Sequence, residues 1–186
     1  MNPPRQLIRE TRVPVVAKSR MPARHDYEYE RCGVCDVFMA VEPLVGNRMV
    51  HITKQRTKTD WAFFIESIAH AYQEVEKIVL VMDNLNTHCP GSLYETFTPE
   101  KAKALWDRFE FVYTPKHGSW LNMAEIELNV LIKQCLDRRI DNIDEMRSSV
   151  TAWENKRNNS NSRIDWQFTY ENARIKLKRL YPTLKD

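Results

Sequence analysis

The chain has 186 residues, of which 42% are hydrophobic, and its formal net charge is +3 with histidine neutral. This length predicts one domain or at most two, and the hydrophobic fraction excludes disorder of the whole chain. No window approaches the ~18 consecutive apolar residues of a membrane span, and the first residues contain no apolar signal segment. We therefore expect a mildly basic intracellular protein that does not associate with membranes.

The N-terminal third is predicted to contain an irregular arm, a hairpin and a helix. Residues 1–30 carry four prolines among many charges, a pattern typical of an irregular arm. The β-rich runs at 34–41 and 48–53 flank turn-forming residues at 42–47, which predicts a hairpin. Apolar residues then recur at helical spacing over 59–72, and Thr59 or Asp60 could cap that helix.

The rest of the chain alternates strands and helices. Residues 77–82 form a continuous aliphatic run, which is typical of a strand covered on both faces in a largely parallel sheet. A helix at 99–108, a strand at 109–113 and a long helix from about 121 to 136 follow. Two further helices near 142–157 and 170–179 are separated by a polar linker at 158–162, which we expect to be mobile. This order predicts an α/β fold with a mixed sheet.

The cysteines do not indicate a metal or redox site. Cys32 and Cys35 form a lone Cys-x-x-Cys, without the second pair that a zinc ribbon needs. The sequence after Cys35 continues as a strand, whereas a thioredoxin-like motif should begin a helix. We interpret these residues, with Cys89 and Cys135, as structural thiols, the alternative being metal or redox use.

Asp83 directly follows the buried strand at 77–82. In α/β sheets, ligands bind just outside the carboxyl ends of the central strands. A carboxylate at this point is therefore a candidate ligand. The alternative is an Asx-turn or a helix cap.

Glu125 is the second candidate. On a helical projection it falls within the apolar arc of the helix at 121–136, whereas Glu127 falls at the polar margin. A carboxylate on a buried face must be protonated, paired or bound to a metal. Asp83 and Glu125 together indicate a site for Mg²⁺, with a salt bridge between Glu125 and a core-facing Arg or Lys as the alternative. Two such ions ~3.5–4 Å apart support phosphodiester chemistry, which normally needs a third carboxylate.

Two stretches carry a resemblance to a known family. Residues 79–88 (Val-Leu-Val-Met-Asp-Asn-Leu-Asn-Thr-His) and residues 113–125, which end in Leu-Asn-Met-Ala-Glu, resemble bacterial insertion-sequence transposases related to mariner. The second stretch is similar to the family's Leu-Asn-Pro-x-Glu, with Met123 where proline is common. The tail at 166–177 is also similar to family sequence, so the resemblance extends over nearly the whole chain.

The resemblance implies a DDE catalytic domain of the ribonuclease-H-like fold, at residues 31–157. Asp83 would be the second acidic residue and Glu125 the third, and both would bind Mg²⁺ or Mn²⁺. The partners implied are the terminal inverted repeats of a transposon and target DNA, together with a second copy or a full-length transposase, in the bacterial cytoplasm at the nucleoid. The resemblance also implies four residues that shape the site: Asn84, His88, His117 and Asn122.

The C-terminal region, residues 158–186, is predicted to be a polar linker followed by a basic helix. The cluster of cations in this helix could follow DNA phosphates, and a solvated helical face is the alternative. The predicted DNA contacts are Lys116, Arg174, Lys176, Lys178 and Arg179.

The chain departs from the family at its start. The first Asp of the family precedes the equivalent of residues 6–10, but residues 1–4 contain no carboxylate, and the DNA-reading helix-turn-helix region is missing. We interpret Asp36 as a solvent-facing strand residue that does not replace the first Asp. We therefore expect an N-terminally truncated domain with its first strand missing or incomplete and its activity impaired. The alternative is a non-catalytic DNA-binding or regulatory transposase remnant.

Overall fold

The computed structural model describes residues 4–22, 24, 26–83, 85, 87–114 and 122–176. The chain folds as a mixed α/β protein, which confirms the predicted α/β class. The strands are β1 Arg5–Glu10, β2 Tyr29–Glu42, β3 Asn47–Thr53, β4 Ile78–Met82 and β5 Phe109–Tyr113. The helices are α1 Lys58–Ala71, α2 Pro90–Thr96, α3 Pro99–Arg108, α4 Met123–Cys135, α5 Ile143–Asn159 and α6 Tyr170–Lys176.

The described strands form two sheets, where the sequence predicted a single mixed sheet. One sheet has the order β1-β2-β3 and is antiparallel, and the other pairs β4 with β5 in parallel. The long strand β2 changes partner along its length. Its first half pairs with β1 as far as Arg5 opposite Cys35, and its second half pairs with β3 from Asp36 opposite Thr53.

Helices cover both faces of the three-stranded sheet. Successive side chains of a strand point to opposite faces, so Cys35 and Phe38 of β2 enter different hydrophobic clusters. Phe38 packs with the apolar face of α1, including Trp61 and Ile65. Cys35 packs on the other face with residues of α4 and α5. This second cluster includes Leu7, Val50, Ile52, Leu131, Met146, Val150 and Trp153.

The predicted irregular arm at 1–30 contains a strand, which corrects that prediction for residues 5–10. Leu7 of β1 is buried, and the Ile8 amide donates to the Ile140 carbonyl at 2.7 Å. The prolines that suggested an irregular segment lie outside β1, so they do not interrupt its ladder. Beyond β1 the arm has no regular strand until residue 29 among the described residues, although isolated bridges such as Val15 to Arg24 and hydrogen bonds from Arg139 to the Asp26 and Glu28 carbonyls order parts of it.

The polar segment at 158–162 is anchored to the hairpin, whereas the sequence predicted a mobile linker. The Asn158 side chain accepts from the Arg48 amide at 3.0 Å and donates to the Arg48 carbonyl at 2.9 Å. The Arg48 guanidinium donates to the Ser162 carbonyl at 2.6 Å. Gly46 has φ +81°, and a Cβ there would lie 2.9 Å from backbone carbons of Asn161 and Ser162. These polar side chains therefore hold the segment to the β2–β3 turn.

Strand β4 is less covered than its aliphatic sequence predicts. Val79 is 62% exposed and Val81 is 50% exposed.

No helix within the described ranges is long and apolar enough to cross a membrane. The four cysteines are free, and burial raises the pKa of the Cys35 thiol.

Candidate active site

Asp83 lies at the carboxyl end of β4, where the preceding residue Met82 is buried. The parallel ladder with β5 fixes this strand end, because the Thr114 amide donates to the Met82 carbonyl at 2.9 Å. The Tyr113 hydroxyl also donates to the His88 carbonyl at 3.0 Å, which ties the loop after Asp83 to β5. The strand ends therefore hold Asp83 and His88 in place.

His88 contacts the carboxylate of Asp83. The distance between His88 Nδ1 and Asp83 Oδ1 is 2.9 Å, and both side chains are largely buried. Among the described residues no donor is aligned on Oδ1 for a hydrogen bond with good geometry, so the contact is close but imperfectly oriented. The His88 contact lowers the pKa of Asp83 below its ordinary value, while burial opposes the shift. Asp83 is therefore a largely buried carboxylate with the imidazole nitrogen of His88 against its Oδ1.

Trp61 fixes the position of the His88 ring. The two rings stack with centroids 5.6 Å apart and an interplanar angle of 24°. Trp61 is buried in α1, a helix whose start is fixed by a capping box between Thr57 and Asp60. Because the cap and the core hold Trp61, the imidazole has a rigid surface against which it is oriented.

Glu125 occupies the first turn of α4. Asn122 is the N-cap of this helix, and its side chain accepts from the Ala124 amide at 3.1 Å. The Glu125 amide donates to the Asn122 carbonyl at 3.0 Å. A carboxylate in the first turn is stabilised by the positive end of the helix dipole. Asn122 therefore starts the helix that carries Glu125.

Glu127 was misplaced by the helical projection. It is buried, with Oε1 2.9 Å from Arg48 Nε and 2.7 Å from Arg157 Nε. Glu125 is only half-buried. The buried residues of α4 are Glu127 and Leu131, and the buried Arg48 compensates the carboxylate of Glu127. The buried salt bridge considered for Glu125 thus belongs to Glu127.

One cavity is lined by four of the predicted site residues. It has a volume of about 310 Å³, and its wall contains Asp83, His88, Asn122 and Glu125. The predicted residues Asn84, Lys116, His117, Lys178 and Arg179 lie outside the described residues. Arg174 and Lys176 lie on exposed positions of α6, away from the cavity wall.

Arg56 is a site residue that the sequence analysis missed. It lines the cavity, and its Nη2 lies 2.9 Å from Asp36 Oδ1. Asp36 is buried, which corrects the prediction of a solvent-facing residue. The sequence position of Arg56 could have marked it as a candidate, because it follows β3 and immediately precedes the Thr57 cap of α1. Its partner on β2 could not be identified from local sequence.

Comparison with known proteins identifies the family. A family model described as DDE superfamily endonuclease matches residues 7–147, more than half of the chain. Neither the comparison with curated proteins nor that with solved structures gives a significant match. The matched segment includes Asp83, Glu125 and the elements that position them. The chain belongs to the DDE superfamily endonuclease family.

Proposed function

We propose that the chain is the catalytic domain of a bacterial, mariner-related insertion-sequence transposase, which cleaves DNA at the ends of the element and joins them to target DNA. Family membership implies DNA as the substrate. The observation that most supports the proposal is the presence of Asp83 and Glu125 on the wall of one cavity, with His88 beside Asp83.

Asp83 and Glu125 would hold Mg²⁺ or Mn²⁺. Oxygen ligands suit these hard cations, which bind through few carboxylates and retain water and substrate phosphates. The donor set fits, because the buried Asp83 Oδ1 has no aligned donor among the described residues. When bound, the ion supplies Lewis-acid polarisation of a phosphodiester and a more acidic water.

The residues of the chain prepare this site. The His88 contact lowers the pKa of Asp83 against the opposing effect of burial, and Trp61 orients His88 by stacking. Asn122 starts α4 so that Glu125 is presented from its first turn. Arg56 places a cation on the same wall, where a guanidinium can hydrogen-bond to a DNA phosphate.

We also propose where the DNA and the partners bind. The basic residues of the C-terminal region would contact phosphates on DNA that extends beyond the cavity, with a second copy or a longer transposase completing the assembly at the nucleoid. Such contacts predict binding that weakens steeply with added salt. The proposed phosphate contacts are Lys116, Arg174, Lys176, Lys178 and Arg179.

We propose further that DNA cleavage by these 186 residues alone is severely impaired or absent. Phosphodiester transfer with two metal ions needs several oxygen ligands. The described part of the chain contains no group of three or more His, Cys, Asp and Glu residues that could hold a metal ion. Asp83 and Glu125 are the two acidic residues on the described cavity wall.

Mn²⁺ binding and DNA cleavage test the proposal together. We expect a weak Mn²⁺ site, detected by electron paramagnetic resonance, that is lost in Asp83→Asn and Glu125→Gln. Glu110→Gln is the matched control, because Glu110 is exposed on β5 and outside the cavity wall. Mn²⁺ binding that survives both cavity substitutions would contradict the metal site.

Nicking of a supercoiled plasmid in Mg²⁺ or Mn²⁺ tests the activity. Slow nicking that disappears in Asp83→Asn supports a weakly active catalytic domain. Rapid nicking that disappears in the same variant supports the catalytic site and contradicts the impairment. Salt-sensitive DNA binding without nicking favours the alternative of a non-catalytic remnant.

A further inference from the structure

Positive charge is concentrated between β1 and β2, in residues 11–25, which we call the basic arm. The arm contains four of the 28 Lys and Arg residues and none of the 25 Asp and Glu residues. The formal net charge of the chain is +3, so the residues outside the arm are together slightly acidic. The cations of the arm are Arg12, Lys18, Arg20 and Arg24.

The outer part of the basic arm is a β-hairpin. Val15 and Arg24 exchange backbone hydrogen bonds of 2.9 and 3.0 Å, and Lys18 and Met21 exchange two of 2.9 Å. The two antiparallel pairs are in the same register. They enclose a two-residue turn at the tip, formed by residues 19 and 20.

The base of the arm is fastened to the body of the protein. Arg139 donates to the Asp26 and Glu28 carbonyls at 2.7 and 2.9 Å, and it also forms an ion pair with Glu10 at the end of β1. Arg12 pairs with Asp26 at 3.1 Å. Arg12 therefore helps to hold the base, and the hairpin leaves the sheet from a defined position.

The three outer cations have no such structural contact. Lys18, Arg20 and Arg24 are exposed, and none of them forms an ion pair with another described residue. Successive residues of a strand point to opposite faces, so Lys18 and Arg24 lie on opposite faces of the hairpin, with Arg20 at its tip. The arm stands away from the body, since Val13 and Val16 are 93% and 76% exposed.

Arg20 occupies a backbone conformation that disfavours its side chain. Its φ is +64°, and Asn161 is the other described non-glycine residue with a positive φ. Two-residue hairpin turns prefer Gly, Asn or Asp at such positions, because a longer side chain crowds the backbone there. Turn chemistry therefore does not account for an arginine at the tip, and a strained residue of this kind is typical of a functional site.

We propose that the basic arm binds the phosphates of double-stranded DNA through Lys18, Arg20 and Arg24. None of the three lines the catalytic cavity. Along β2, Tyr29 beside the arm and Val37 on the cavity wall are up to about 26 Å apart, so the arm would contact DNA that flanks the reacting phosphate. Such contacts fix the position of a duplex without reading its sequence.

The charge of the arm favours DNA over a second copy of the chain as the partner. Three exposed cations without neighbouring carboxylates complement a polyanion, whereas the rest of the chain is nearly neutral. The inference rests on the proposed function only in taking DNA as the substrate. It requires neither the metal nor Asp83 and Glu125.

The test measures binding of a short fluorescent DNA duplex by anisotropy, in EDTA and over a range of salt concentrations. Each phosphate contact contributes about 0.9 to the slope of log affinity against log salt. Replacing the three cations with glutamine should therefore lower the slope by about 2–3 and weaken binding at least about tenfold. The combined variant is Lys18→Gln, Arg20→Gln and Arg24→Gln.

A matched control removes the same charge from exposed positions elsewhere. We expect it to bind DNA within about twofold of the unmodified chain, with an unchanged salt slope. The control combines Lys77→Gln, Lys133→Gln and Lys156→Gln, all at exposed positions.

Two substitutions of Arg20 separate a phosphate contact from a structural role. Arg20→Gly removes the cation and relieves the backbone, so it should lower the salt slope by about 0.9 without lowering the midpoint of urea unfolding. Arg20→Lys keeps the cation and should keep the slope.

Three outcomes would overturn the proposal. The first is an equal salt slope in the combined arm variant and the control, and the second is a normal slope in Arg20→Gly. The third is self-association without DNA that the arm variant abolishes while its DNA binding stays normal, because a second copy would then be the partner. Nicking that persists with an unchanged slope would remove the arm alone, whereas loss of Mn²⁺ binding or nicking would leave the result in EDTA intact.

Discussion

Arg48 and Glu127 form an ion pair in the protein interior, with 2.9 Å between Nε and Oε1 and side chains that are 0% and 2% exposed. Arg157 adds a second guanidinium 2.7 Å from the same carboxylate oxygen. Burial lowers the pKa of Arg48, and the charge of Glu127 opposes that effect. The pair joins β3 to α4, and through Arg157 to α5, so it is a structural centre apart from the candidate active site.

Glu127→Ala should destabilise the fold strongly. It leaves Arg48 buried without its carboxylate, which costs roughly 3–5 kcal/mol in the free energy of unfolding. Glu125→Ala, two residues away and half-buried, should cost about 1 kcal/mol or less. Urea unfolding of the two variants measures the difference. Equal losses would show that the buried pair does not stabilise the fold as described.

The stability should fall in mildly acidic solution because of His51. Burial lowers its pKa from the ordinary 6.5, and its ring lies edge-on to Phe64 with centroids 5.1 Å apart. The unfolded chain therefore takes up a proton near the ordinary pKa, whereas the folded chain does so only at lower pH. The free energy of unfolding is then largest above the ordinary pKa of histidine. It decreases as the pH falls from that pKa towards the lowered pKa of the folded chain.

Urea unfolding between about pH 5 and 8, the interval in which histidine titrates, measures this dependence. His51→Leu should reduce the slope of stability against pH. The exposed His70 provides the control, since His70→Gln should keep the wild-type slope. An unchanged slope in His51→Leu would assign the dependence to other groups.

His88→Phe should weaken metal binding without unfolding the protein. Phenylalanine preserves an aromatic ring against Trp61 but removes the nitrogen that contacts Asp83. Loss of a residue that orients a metal ligand typically lowers affinity by about 10- to 100-fold, and we expect a loss in that range for Mn²⁺. Paramagnetic resonance titration measures the affinity, and thermal unfolding checks the fold. Unchanged affinity would remove His88 from the site.

Two glycines provide a matched pair for backbone strain. Gly33 and Gly46 have φ +122° and +81°, but only at Gly46 would an added Cβ meet other backbone atoms, at a distance of 2.9 Å. Gly33→Ala should cost about 1–3 kcal/mol from strain alone. Gly46→Ala should cost more, because Asn161 and Ser162 must also move. Denaturant unfolding that ranks the two variants in the opposite order would contradict this account.

Most elements were predictable because their signals are local. The helix at 59–72 and the hairpin strands at 34–41 and 48–53 differ from α1, β2 and β3 mainly at their ends. Asp83 was placed at the end of a strand for a similar reason, since an aliphatic run and its first polar residue are adjacent in the chain. Helical spacing also placed Glu125 on α4.

The errors concern partners that are distant in sequence. The sequence predicted Glu125 to be more buried than Glu127, and the structure shows the reverse. Glu127 is buried because it pairs with Arg48 on another element, and local periodicity does not reveal that partner. Arg56 was missed because its relation to Asp36 joins a loop to β2. Strand β1 was missed because a single buried Leu7 within a charged segment gives no alternating pattern, although β2 provides its ladder.

The anchoring of Asn158 and Ser162 to Arg48 has a consequence for local fluctuations. These contacts join positions that are 110 and 114 residues apart in the sequence. The same Arg48 also forms the buried ion pair with Glu127. Fraying at the end of α5 would therefore break the hydrogen bonds of Asn158 and Ser162 to Arg48, so the hairpin turn would lose them at the same time. The two regions should exchange their amide hydrogens as one cooperative unit, despite the length of polypeptide that separates them.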